Sequence, residues 1–215
     1  MTPREYRDAD PRWIRLVSEE KVRGIKCSPA RSFLAQEIYA EHYRILIEAA
    51  KRGEPIPPHL WDRRIERIMF ENSESFREWF GTSKIVDDEG RPQQVYHGTT
   101  HPSGISPPDK IGAIYFSTNR TVAEWLSSLA RQRHKGEKLV STAYLRIIRP
   151  AVYDAECIEA GRNPGWIRSQ WDRAIAAGHD GMVLNRIYES GFMGTTIMVQ
   201  SENQVWLYEV SRKIS

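Results

Sequence analysis

Two blocks of this sequence place reactive and stacking side chains where a chain ordinarily breaks. In "QVYHGTT" (Gln94–Thr100) a β-type run ends on His97 and is cut by Gly98 before two threonines. In "GAIYFSTNRTVAEWL" a strand carries Tyr115, and the helix that follows carries Trp125. A late run adds Thr195 and Thr196. A neutral imidazole can hydrogen-bond a sugar hydroxyl, and glycine lets a ligand approach the backbone closely enough for peptide groups to pair with an amide. Two aromatic faces can sandwich a flat heteroaromatic ring, and a cationic ring gains about 0.5–2 kcal/mol from that contact. Together these describe a site for an amide-bearing cationic ring attached to a ribose. Each residue also has a plainer reading. Tyr115 is an ordinary strand aromatic, Trp125 on an amphipathic helix packs by default, and "HDG" at 179–181 is a turn before a strand. His97 and His101 have the i, i+4 spacing of a metal-binding helix, but "HGTTHP" cannot hold a helix, so no metal site is expected.

The elements that must carry these residues change in character along the chain. The first third reads as helical. Asp10-Pro11 starts a helix through Trp13, Leu16 and Val17, and Ser28-Pro29 starts another through Leu34, Ile38, Ile45 and Leu46 that ends at Gly53. "EPIPPH" then interrupts, because three prolines cannot continue a helix. A third helix carries Leu60, Trp61, Ile65, Ile68 and Met69, and "NSESFREWFG" is a short capped helix closed by Gly81. Beyond Gly81 short strands dominate. "SKIVDDEGRPQQVYHG" reads as a hairpin, "GAIYFST" as a strand, and Asn119 as the cap of the next helix. "KLVSTAYLRII" is a strand stopped by Pro150, Asn163-Pro164 opens a helix ending at Gly178, and "GMVLN", "TTIMVQ" and "QVWLYEV" supply the last strands. A run of helices followed by many short strands with helices between them is an α+β pattern.

The chain's 215 residues can bury one good core with a smaller helical appendage. The net charge of +3, without a basic block, suits a phosphate-bearing ligand but does not demand one. The alternating signs around Arg63 and Arg64 read as a solvated helix face rather than a nucleic-acid stripe. Cys27 and Cys157 lack metal-ligand spacing and read as reduced thiols. The first thirteen residues have no apolar signal core and no run reaches membrane length. The expectation is therefore a soluble protein with no membrane partner, working in a bacterial or phage cytoplasm or delivered into a host cell by dedicated machinery.

The ordered blocks "SESFREWFGTSKIVDDEGRPQQVYHGTT", "GAIYFSTNRTVAEWL", "GHDGMVLN" and "TIMVQSENQV" resemble the ADP-ribosyltransferases of the diphtheria-toxin and poly(ADP-ribose) polymerase type, nearest the branch found in phage polyvalent proteins and bacterial effectors. The resemblance spans about Met69 to Val210. It implies a helical recognition or delivery region over 1–68, and over 69–215 a catalytic domain with a split, mainly antiparallel sheet and NAD as substrate. By it, His97 would bind a ribose hydroxyl of NAD, the Gly98 backbone would pair with the nicotinamide carboxamide, and Thr99 would sit near the adenosine ribose. Tyr115 would stack on nicotinamide, and Trp125 would be a second stacking aromatic. Val122 stands where the family has a small polar residue.

The third catalytic position departs further from that pattern. Polymerizing members begin a late strand with a glutamate, and counting back from Gln204 puts Thr196 there, with Thr195 its neighbour. A one-residue shift of a strand would exchange the two. Threonine cannot supply a negative charge to an oxocarbenium-like centre, so the resemblance implies transfer of a single ADP-ribose, with the missing carboxylate sought first in Glu189, then in Glu202 or in the substrate. The resulting expectation is a mono-ADP-ribosyltransferase acting on a protein side chain, as an effector or toxin modifying a host protein. Ubiquitin-like proteins belong to the acceptors of effectors of this general type, though no residue here argues for them. The competing readings are an NAD-fold binding module that has lost catalysis, an NAD hydrolase toxin, and transfer to nucleic acid or RNA 2′-phosphate removal. The last needs a basic groove and a further histidine pair, which the sequence lacks.

Overall fold

The computed structural model describes residues 2–25, 28–60, 62–134, 136–155, 163–189 and 191–212. Cys27, Trp61 and Cys157 lie outside the described residues. The chain divides into two compact units, Met1–Glu78 and Trp79–Ser215. That division falls ten residues beyond the boundary expected at 68/69.

The first unit is helical: α1 (Pro3–Asp8), α2 (Pro11–Val22), α3 (Pro29–Lys51), α4 (Arg63–Glu71) and the start of α5 (Glu74–Phe80). The helix starts follow local chemistry. Asp10 and Ser28 accept backbone N–H groups of Arg12 and Arg31, and a proline occupies the first turn of α2 and α3. The sequence reading missed α1, although Thr2 and Glu5 form a reciprocal capping box there. Ile47, Ala50, Ile56 and Ile65 form this unit's buried cluster.

The second unit holds a seven-stranded sheet, built from β1 (Val95–Thr99), β2 (Ile114–Ser117), β3 (Leu139–Leu145), β4 (Pro150–Asp154), β5 (Gly181–Glu189), β6 (Phe192–Val199) and β7 (Val205–Arg212) in the order β4-β5-β6-β2-β1-β3-β7. Helices α6 (Arg120–Arg133) and α7 (Pro164–Ala176) complete it. The α+β expectation therefore holds: helices come first, and the sheet is antiparallel except for β4 beside β5. The sheet is held unevenly at its centre. Strands β1 and β3 pair over five residues, whereas β1 and β2 pair only at Tyr96 and Ser117.

Three local expectations need correction. Pro150 does not stop a long strand: β3 ends at Leu145, and Pro150 opens β4 at the sheet edge, where its missing N–H costs no ladder bond. The hairpin expected over residues 83–98 reduces to one bridge between Val86 and Pro92, closed by Asp87, whose carboxylate accepts the N–H groups of Glu89 and Arg91. Only the downstream run becomes a strand. Finally, β5 and β6 run well past "GMVLN" and "TTIMVQ", so "NRIYESGFMG" is mostly the end of a hairpin rather than a loop. A bulge between Leu184 and Ile187 puts Arg186 at φ 53°, where its guanidinium pairs with Asp154.

Each sheet face buries a core. One face contributes Val95, Ile114, Phe116, Ala143, Leu145 and Ile197. The other contributes Met182, Leu184, Ile187 and Met198, covered by Trp171 and Ala174 of α7. A fully buried aliphatic side chain stabilises by about 1.5–3 kcal/mol, so both faces are strongly specified. The Trp171 indole N–H donates to the Ile111 carbonyl at 2.8 Å, which fixes the segment entering β2.

Candidate active site

Helix α6 lies against β1 at a distance only glycine permits. A Cβ built on Gly98 would stand 1.8 Å from the Ala123 carbonyl oxygen and 2.7 Å from the Ser127 nitrogen. The absent side chain thus serves helix packing: Gly98 does not cut the strand after His97 as expected, since β1 pairs with β3 through Gly98 and Thr99, and α6 lies alongside it. The start of α6 is set by Asn119, whose side chain accepts the Thr121 N–H at 2.9 Å.

His97 is buried, at 7% exposure. Its Nδ1 lies 2.7 Å from the Tyr115 carbonyl, which can only accept, so Nδ1 carries the proton. Its Nε2 lies 3.0 Å from the Ser106 backbone N–H, which can only donate, so Nε2 accepts. The ring is therefore a neutral imidazole in one tautomer. Burial lowers its pKa below the ordinary value, and the bond to Tyr115 opposes that only in part. Both nitrogens are occupied by the protein, and a ligand hydroxyl reaches Nε2 only by displacing Ser106.

Residues 100–112 form the segment that supplies Ser106. Thr99, also buried, bonds the Ser106 hydroxyl at 2.7 Å and accepts the His101 N–H at 2.9 Å. Gly104, at φ +82°, is pressed against β3 and bonded through its carbonyl to the Ser141 hydroxyl at 2.5 Å, and Ile105 enters the core beside it. Further on, the Asp109 carboxylate accepts N–H groups from Ile111 and Ala113 and, through its other oxygen, the Tyr115 hydroxyl at 3.1 Å.

These parts surround one cavity of about 1030 Å³. His97, Gly98, Thr99, Tyr115 and Trp125 all line it. They come from β1, β2 and α6; β2 leads directly into α6, but nothing local in the sequence brings β1 to that pair. Trp125 is 41% exposed, so a large aromatic face is turned to the cavity rather than into the core, while Val122 is buried. Sequence reasoning missed Ser106, Asp109, Arg133 and His134 among the lining residues, and weighed His101 only as a metal ligand. Asp109 had a legible signal, since "PPDKIG" is a turn sequence before a strand.

The late-strand residues sit differently. Thr196 is opposite Ser117 on β2 and Leu184 on β5. Side chains alternate along a strand, so Thr196 shares the face of Ser117 and Tyr115, and Thr195 faces the other way. That settles which threonine faces with Tyr115. Thr195 instead bonds Asn185 at 3.3 Å and lines a separate polar cleft of about 490 Å³. Thr196 is 3% exposed, is not among the residues lining the large cavity, and its hydroxyl has no hydrogen-bond partner among the described residues. Glu189 is the last residue of β5, opposite Phe192, and its side chain lies outside the described residues. Glu202 is exposed in the short 3-10 turn before β7 and does not line the cavity. Among the described residues no cluster of three or more His, Cys, Asp or Glu side chains is able to hold a metal, and no helix is long and apolar enough to cross a membrane.

No protein-family model matches the chain, and no curated protein matches it in sequence.

Proposed function

We propose that the cavity binds NAD and that the protein transfers one ADP-ribose from it to a protein side chain, releasing nicotinamide. The observation that carries this reading is convergence: five residues chosen for ring stacking, ribose bonding and amide pairing line a single cavity of about 1030 Å³, large enough for a dinucleotide. Tyr115 and Trp125 would take the nicotinamide ring. The neutral His97 would accept a ribose hydroxyl at Nε2 once Ser106 withdraws its N–H. Holding the dinucleotide so that the ribose C1′ is exposed, in a site shaped for developing positive charge, is the source of rate acceleration in such a displacement.

A second reading is favoured by a specific observation. Thr196 brings no charge to the Tyr115 face and does not line the cavity, and this supports NAD binding without turnover. Transfer of labelled ADP-ribose from NAD to proteins of bacterial and eukaryotic lysates, read beside His97→Ala and Tyr115→Ala, decides between them. A discrete labelled band that disappears in both variants is the expected result. Nicotinamide release without label indicates an NAD hydrolase, and NAD binding without release indicates the binding module.

A further inference from the structure

The carboxylate that Thr196 does not supply has a candidate elsewhere on the cavity wall. Among the described residues lining the cavity, Asp109 is the only acidic one. Its surroundings hold it rigidly. The Asp109 N–H donates to the Ala113 carbonyl at 2.9 Å, the Gly112 N–H donates to the Asp109 carbonyl at 2.9 Å, and Oδ1 receives the N–H groups of Ile111 at 2.9 Å and Ala113 at 3.2 Å. With Oδ1 committed to the turn, Oδ2 points to the Tyr115 hydroxyl at 3.1 Å. Among the described residues no lysine or arginine pairs with Asp109, so its charge is not neutralised by an ion pair.

We propose that Asp109 is the anionic group of this cavity, reading the positive charge of a pyridinium-type ring placed against Tyr115 and stabilising the charge that grows on the attached ribose. The inference rests on the NAD reading above. In that step the C1′–N bond breaks and its electron pair moves to the ring nitrogen, which leaves in neutral nicotinamide. A new bond forms from C1′ to the nucleophile, and the proton that the acceptor side chain, or water, loses on attack passes to solvent. The Tyr115 hydroxyl bond makes Asp109 a positioning residue as well, because it fixes the ring against which the ligand lies. A preorganised charge at such a place contributes because it needs no rearrangement when the ligand's charge shifts from ring to ribose.

The test uses the full chain and two probes of nearly equal shape, 1-methylnicotinamide, which is cationic, and nicotinamide, which is neutral. Calorimetric titration of the wild type is expected to favour the cation roughly fivefold. Asp109→Asn keeps an oxygen for the turn and removes the charge. It is expected to lose the preference while binding nicotinamide as before, and to release nicotinamide from NAD about a hundredfold more slowly. Asp109→Ser, whose hydroxyl can close the same turn, gives the same comparison should the Asn variant fold poorly. Tyr115→Phe breaks the hydroxyl bond but leaves the charge, and is expected to keep the preference. Equal binding of both probes by the wild type, or an unchanged preference in Asp109→Asn, overturns the role of Asp109 and leaves the NAD reading standing. A wild type that binds neither probe overturns both.

Discussion

The imidazole of His97 is held neutral by burial, and this has a consequence for stability. Its pKa in the folded protein lies below the ordinary 6.5, so the unfolded chain binds a proton first as the pH falls. The stability it contributes is therefore complete above about pH 6.5 and is lost progressively as the pH drops toward the depressed folded value. Urea unfolding at pH 7.5 and pH 5 is expected to show a smaller stability at pH 5, with the difference reduced in His97→Gln. His42 of the first unit, whose pKa burial also lowers, contributes with the same sign and persists in that variant. Thr196 offers a second residue-scale test. A buried hydroxyl without a partner costs about 1–3 kcal/mol, so Thr196→Val, nearly equal in shape, is expected to raise the unfolding free energy by about 1 kcal/mol. A loss of stability would mean that the hydroxyl is bonded in the free protein.

At the scale of elements, the site depends on two close contacts. The first is β1 against α6. Gly98→Ala places a methyl group where the Ala123 carbonyl already stands, and helix backbone cannot yield as a side chain can. A loss of more than about 3 kcal/mol, or failure to fold, is expected on thermal unfolding, even though the residue also lines the cavity. The second is the 100–112 segment on His97. Because the Ser106 N–H is bonded to Nε2, its amide is expected to exchange slowly with solvent in the free protein, and to lose that protection when NAD is added, since the same nitrogen is needed for the ribose. Unchanged protection at saturating NAD would remove His97 Nε2 from ribose binding. The element boundaries were mostly legible in sequence. Asp10, Ser28 and Asn119 accept the N–H groups that start their helices, and Gly53, Gly81 and Gly178 end helices with positive φ. Caps and glycine stops are local chemistry, so they can be read locally. The β4 strand was not legible, because a proline can equally stop a strand or open one at the sheet edge, and which it does is a property of the sheet.

For the molecule as a whole, every described residue lining the large cavity belongs to the unit Trp79–Ser215. A chain covering residues 74–215, which keeps α5 intact, is therefore expected to titrate with NAD at the same Kd as the full chain. A large weakening would assign the helical unit a part in the site. By itself the sequence determined the α+β class, the order of the elements other than α1 and β4, and the residue types able to stack, bond a sugar hydroxyl and pair with an amide, because periodicity, caps and chemistry are carried by neighbours along the chain. Only the tertiary structure decided that Thr196 rather than Thr195 faces with Tyr115, that Gly98 is required by α6, that Ser106 occupies His97, and that Asp109 rather than Glu202 stands on the cavity wall. These are matters of strand register and of packing between segments far apart in sequence, and a shift of one residue in a strand is enough to reverse them.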